Sequence, residues 1–168
     1  MGGGGFIKGR RRVLQGLVIR ELGEGDLDAV YTIEVESYPR PWTRNFFRLM
    51  AHTSRDLFLV ALVDDEIVGY TVGEVDTRSN GRKLGHIMNI AVRKPHRNLG
   101  VGTALLDELE RRFREAETVA SFLEVRESNL AAQRLYAGRG YRLLKNAAGY
   151  YGDEDGYVMS KRLNKTNV

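Results

Sequence analysis

Arg97-Asn98-Leu99-Gly100-Val101-Gly102-Thr103 carries two glycines and no proline, and it lies between an apolar strand pattern and an amphipathic helix pattern. The first four N–H groups of a helix lack partners within it and carry the positive end of its dipole, so a turn placed there is a ready anion site. Glycine lets a phosphate come close to the backbone and tolerates the dihedrals this requires. Two familiar nucleotide loops do not fit. The Walker pattern needs Gly-Lys-Ser/Thr, whereas Gly102 is followed by Thr103 and Ala104, and the dinucleotide fingerprint needs three spaced glycines where only two are present. A glycine-softened turn and a cradle for another kind of phosphate both remain open.

Titratable residues suggest a second piece of chemistry. Glu124 interrupts the apolar run Phe122-Leu123-Glu124-Val125. There it is either on a strand's solvated face or buried, and a buried carboxylate must be paired or raised in pKa, which suits a general base. His86, with an ordinary pKa of about 6.5, is the competing base. Strict alternation puts it on one strand face with Met88 and Ile90, although a single histidine at a strand start also has a purely structural reading. For Trp42, near Phe46 and Phe47, a core role is preferred. The chain has no cysteine, which excludes disulfides, thiolate metal sites and a thiol nucleophile together.

The elements that position these residues can be read from periodicity. A short strand, Leu17 to Arg20, precedes Asp26, an expected helix N-cap, and Leu27, Val30 and Tyr31 continue at helical spacing until Pro39 and Pro41 end the helix near Ser37. Thr43 is expected to cap a second helix carrying Phe46, Phe47, Met50 and Ala51. Leu57 to Val63 and Glu66 to Asp76 form a hairpin around Asp64-Asp65. Then come a strand over Leu84 to Val92, a helix with Leu105, Leu106, Leu109 and Phe113 on one face, a strand over Ala120 to Val125, a helix over Asn129 to Arg139, and a closing hairpin of Tyr141 to Lys145 with Gly156 to Arg162. This order predicts one α/β (α+β) domain, a mixed sheet with helices on its faces. The domain is expected over residues 17–163, between tails at 1–16 and 164–168.

Composition agrees. With 168 residues, 42% of them hydrophobic, the chain can bury a real core, and its longest apolar runs are far shorter than the roughly 18–20 residues of a membrane-spanning helix. The net charge of +4 and a pI near 9.4 hint at nucleic acid. Yet Lys8, Arg10, Arg11 and Arg12 hold the entire excess, leaving 22 basic against 22 acidic residues in the remainder. That arm has no aromatics interleaved with its arginines, so it reads as a solvated extension rather than a nucleic-acid clamp. No secretory apolar stretch follows it, and Phe6 stands where an N-myristoylation signal needs Ser or Thr. A cytoplasmic protein is expected.

Arg97 to Gly102 also resembles the Gln/Arg-x-x-Gly-x-Gly/Ala signature of the GNAT N-acetyltransferase superfamily. Leu84 to Val92 resembles the family's strand before that loop, Leu123 to Asn129 its next strand and turn, and Asn129 to Tyr136 with Gly140-Tyr141 its closing motif. The likeness spans nearly all of Leu17 to Leu163. Within the superfamily it is nearest to the RimI-type and archaeal protein N-terminal acetyltransferases, whose peptide-site loops are similar to Glu36-Ser37-Tyr38-Pro39, Pro41-Trp42 and Tyr150-Tyr151-Gly152-Asp153.

The resemblance implies a mostly antiparallel sheet of about seven strands and direct transfer of an acetyl group from acetyl coenzyme A to an amine, without an acetyl-enzyme and without a metal. It implies that Arg97, Asn98 and the N–H groups from Leu99 through Gly100, Val101 and Gly102 to Thr103 hold the pyrophosphate. Ile90, Ala91 and Val92 would pair with the pantetheine arm like an added strand, where the central strands splay. Asn129 would bind the arm. Tyr136 would sit by the sulfur as general acid. Glu124, His86 and Glu36 become candidate bases, and Glu36, Tyr38, Tyr150 and Tyr151 candidate peptide contacts. An α-amine with pKa about 7.8 is roughly one-seventh unprotonated at pH 7, against about one in 2,500 for lysine, which favours a protein or peptide N-terminus with so mild a base. Lysine, a polyamine or another small amine is the alternative substrate. A coenzyme- or nucleic-acid-binding module without turnover is the alternative of another class. The basic arm is compatible with work near the ribosome.

Overall fold

In β2 (Phe58–Val63), Phe58 and Val60 point to one face and Leu59 and Ala61 to the other, and all four are fully buried. A strand apolar on both faces must be covered on both. The computed structural model, which describes residues 14–163, shows the two covers. Val30 and Ile33 of α1 (Leu27–Ser37) and Phe47 and Met50 of α2 (Arg44–Thr53) close over Phe58 and Val60. Leu105, Leu106, Leu109 and Phe113 of α3 (Val101–Glu115), with Tyr136 of α4 (Leu130–Gly138), close over Leu59 and Ala61.

Between the layers lie β1 (Val18–Glu21), β2, β3 (Glu66–Thr77), β4 (Lys83–Val92), β5 (Ala120–Arg126), β6 (Arg142–Ala147) and β7 (Gly156–Arg162), in the order β1-β2-β3-β4-β5-β7-β6. Only β4 and β5 are parallel, as the crossover through α3 between them requires; the other neighbours are antiparallel. The expected mixed sheet with helices on both faces is what forms. Among the described residues no helix is long and apolar enough to cross a membrane.

Local chemistry accounts for most boundaries. Asp64 and Asp65 both take positive φ, 48° and 63°, the twist that joins β2 to β3 in two residues. Thr43 Oγ1 accepts the Phe46 N–H at 3.2 Å and starts α2. Asp26 stands at the N-cap of α1 but does not cap it. Its carboxylate turns back to accept the Gly23 N–H at 2.7 Å and an Arg20 guanidinium N–H at 2.6 Å, because an ion pair that also closes the β1–α1 turn outcompetes a helix N–H. Leu57 ends a short 3₁₀ turn, Arg55–Leu57, instead of opening β2. Leu14, three residues before the first expected strand, packs against the α3 cluster. Arg10 to Arg12 and residues 164–168 lie outside the described residues.

Two glycines let α3 sit directly on the sheet. A Cβ at Gly85 would lie 2.5 Å from the Phe113 ring, and one at Gly73 2.8 Å from its tip.

The pairing of β3 with β4 contains one irregularity. The register passes from Val72↔Asn89 to Gly73↔Ile87, which leaves Met88 as an extra residue. Side chains before and after it therefore change faces. Ile87 belongs to the α3 side and Met88 to the α1–α2 side, but beyond the bulge Ile90 and Val92 join the α3 side and Ala91 the other. The expectation that His86 shares a face with Ile90 fails for this reason.

Candidate active site

β4 and β5 pair from Leu84↔Ala120 to Ile87↔Leu123 and then part. Beyond that point β4 stays with β3 as far as Val92, while β5 stays with β7 as far as Arg126. A gap thus opens between Met88–Val92 and Glu124–Arg126, edged by backbone groups of β4 that no strand pairs among the described residues. Ile90 O accepts the Tyr38 hydroxyl at 2.6 Å, and Val92 O accepts Arg97 Nε at 2.8 Å. A carbonyl has two lone pairs, so either oxygen can take a second donor.

The turn from β4 into α3 lies at the end of the same edge. After the 3₁₀ turn Lys94–His96, Asn98 and Gly100 take positive φ, 61° and 89°, and α3 begins at Val101 with no side chain capping its N-terminus. The first N–H groups of α3, at Val101, Gly102 and Thr103, form an anion-attracting cluster. Gly102 faces α4: a Cβ there would come 3.3 Å from a Leu135 methyl. On α4, Asn129 Oδ1 caps its own helix by accepting the Ala132 N–H at 3.1 Å. Tyr136 is buried against Tyr141, ring centroids 5.9 Å apart, and burial holds its phenol well above its ordinary pKa, so it keeps its proton.

Glu124 and His86 meet on the α1–α2 side of the gap. Glu124 Oε2 lies 2.7 Å from His86 Nε2, and Glu74 Oε1 lies 3.1 Å from Nδ1. The ring stacks on Phe122, centroids 4.5 Å apart and planes within 4°. Of the two readings of Glu124, the paired one holds, in a half-buried setting: its side chain is 17% exposed and that of His86 18%. A neutral imidazole has one N–H, so a carboxylate at each nitrogen favours the imidazolium, which donates to both. Burial pushes the His86 pKa down, but the hydrogen bonds and charges of Glu124, and then of Glu74, outweigh it and leave the pKa raised. The raised value favours the folded state fully below the unfolded pKa of about 6.5, and that contribution is lost as pH rises through the folded value. Replacing Glu74 by Gln removes one of the charges that raise it. The His86 ring proton, followed by NMR titration, should then show its midpoint above 6.5 in the wild type and displaced downward in Glu74→Gln; an unmoved midpoint would remove Glu74 from the cluster.

Glu36, the third candidate base, is not part of this group. It is exposed at the end of α1, and its described charged partner is Arg93, 3.9 Å away. Tyr150 and Tyr151 form an edge-to-face pair at 4.9 Å in the β6–β7 loop. Trp42 packs half-buried on Phe46 and Phe47, at 4.6 and 5.5 Å, and so serves the α1–α2 core more than a cleft.

The description that matches this arrangement is that of the acetyltransferase (GNAT) family, whose model covers residues 27–141, more than half of the chain. The chain belongs to the GNAT family. It is similar to an uncharacterized N-acetyltransferase of Methanocaldococcus jannaschii, 39% identical over 148 residues, covering 87% of this chain and 92% of that one. An N-alpha-acetyltransferase of Sulfurisphaera tokodaii is 36% identical over 156 residues, with 86% and 92% covered. The crystal structure of Ard1 from Thermoplasma volcanium superposes with a TM-score of 0.82 at 29% identity, covering 89% of this chain and 99% of that one. As a GNAT member the chain is an acetyl-CoA-dependent N-acetyltransferase.

Three residues of this candidate site are not singled out by the sequence. Glu74 is one. Glu34 and Asn89 form the floor under the α1–α2 loop: Glu34, 1% exposed, accepts the Trp42 N–H at 2.8 Å, the Tyr70 hydroxyl, and Asn89 Nδ2 at 3.1 Å, while Asn89 Oδ1 accepts the Ile90 N–H at 3.0 Å. Burial raises the Glu34 pKa against the lowering effect of those donors. A signal for Glu34 existed, since it lies four residues after Val30 on the apolar stripe of α1, where a carboxylate must find partners.

Proposed function

We infer that this enzyme transfers the acetyl group of acetyl-CoA directly to the N-terminal α-amine of proteins or peptides. The observation that carries the inference is the Glu124–His86 pair at the mouth of the gap between β4 and β5, next to an unpaired strand edge that ends at the start of α3. Relatives named N-alpha-acetyltransferase support the choice of amine.

Acetyl-CoA, when bound, supplies the acyl group as a reactive thioester. Arg97, Asn98 and the N–H groups from Leu99 through Gly100 to Thr103 would hold its pyrophosphate, Ile90, Ala91 and Val92 its pantetheine arm, and Asn129 the same arm through the amide nitrogen its cap leaves free. Glu124, held by His86, removes a proton from the substrate ammonium directly or through water. Tyr136, kept protonated by burial, donates to the departing thiolate. Tyr38, Tyr150, Tyr151 and Glu36 contact the first residues of the peptide. On this reading the enzyme works in the cytoplasm, and Lys8 and Arg10 to Arg12 favour proximity to the anionic ribosome.

The test offers the enzyme acetyl-CoA with a library of peptides that carry both a free N-terminus and an internal lysine, and locates the added mass by tandem mass spectrometry. Acetylation of α-amines is expected. Modification confined to lysine, or none, overturns the reading.

A further inference from the structure

The sheet is covered unevenly. On the α1–α2 side the two helices lie over the β2–β3–β4 part, and the corresponding face of β5, β7 and β6 is left open among the described residues. A groove of about 450 Å³ runs along it. Its floor is apolar, made by Leu84, Phe122, Leu144 and Val158; Phe122 is half-buried and Val158 is buried beneath its neighbours. Leu144 is the residue left unpaired where the β6–β7 register shifts between Leu143 and Lys145, and it is 62% exposed. Arg78 and Lys145 line the groove; Arg78 already pairs with Asp76 at 3.2 Å, whereas no ion pair engages Lys145 among the described residues.

Two features connect this face to the reaction site. Glu124 and Tyr150 also line the groove, so it begins at the base. The other approach is narrowed where the loop after α1 meets the β6–β7 loop: Arg40 donates to Tyr151 O at 3.3 Å and lies 3.9 Å from Asp153. From Glu124 back to Ala120 the strand takes four steps of about 3.3 Å, roughly 13 Å in all, the length of about four extended residues.

Building on the function proposed above, we propose that this groove binds the substrate chain downstream of the acetylated residue, as an extended segment with an apolar side chain on the Phe122–Leu144–Val158 floor and an acidic side chain toward Lys145 and Arg78. The enzyme then selects its substrates over their first four or five residues, with apolar and acidic character preferred beyond the second.

The full-length enzyme is assayed with a tripeptide and with heptapeptides that begin with the same three residues and continue with either acidic or basic residues at positions four and five. The acidic heptapeptide should exceed both the tripeptide and the basic heptapeptide in kcat/KM by roughly tenfold. Leu144→Ser should erase the gain from length, and Lys145→Glu should invert the preference for charge, while both variants turn over the tripeptide as the wild type does. Equal kcat/KM for all three peptides, with the tripeptide acetylated, overturns the groove but keeps the N-terminal activity. Acetylation of none removes both. If sedimentation shows that Leu144→Ser converts a dimer to a monomer, the face belongs to a second copy of the chain and the proposal falls.

Discussion

Glu124→Gln should lower kcat by on the order of a hundredfold or more while the affinity for acetyl-CoA changes little. The substitution keeps the shape of the side chain and an oxygen that can accept from His86 Nε2, so the strand, the Phe122 stack and the unpaired edge of β4 are left in place. What disappears is the ability to take a proton. His86 also loses the larger of its two carboxylate influences, so its own titration should fall at the same time. Single-turnover rates with saturating peptide, together with equilibrium binding of CoA, separate the two consequences. An active Glu124→Gln enzyme whose rate follows the His86 titration would transfer the role of base to the histidine.

The second large effect is on stability. Phe113→Ala should reduce the free energy of unfolding by about 3–5 kcal/mol, the usual cost of removing a fully buried phenylalanine. The site has a feature that sharpens the test: the ring lies so close to the β3 and β4 backbones that methyl groups at Gly85 and Gly73 would overlap it. Gly85→Ala alone should therefore also destabilise, by about 1–3 kcal/mol through overpacking. In the double variant the new methyl enters the space the ring has left, so the two losses should fall short of their sum. A chemical-denaturation cycle measures the difference, and strict additivity would mean that the backbone moves aside instead.

The parts of this architecture legible in the sequence are those written locally. The loop from Arg97 to Thr103 shows its glycines, its freedom from proline and its place before a helical stripe. Thr43 shows a cap followed by aromatics at helical spacing, and Asp64-Asp65 a two-residue turn between apolar runs. Glu124 was conspicuous as a charge inside an apolar strand. What remained hidden depends on partners distant in the chain. Nothing near Glu74 announces that a strand twelve residues later will bring a histidine ring to it, and nothing near Asn89 announces Glu34 of α1. Asp26 has the residue type and position of a cap, but Arg20, six residues earlier, offered it a stronger bond.

Met88 gives β4 two reading frames. Up to Ile87 odd positions face α3, and from Asn89 onward even positions do. The strand therefore delivers His86 to one side of the sheet and Ile90 and Val92 to the other without a break in its pairing with β3, although all three have the same parity. Losing or gaining one residue here is a frameshift in the structural sense: it leaves the chemistry of every side chain intact and sends half of them to the wrong side. The length of this strand, counted to the residue, thus carries as much of the candidate site's specification as the identity of any group within it.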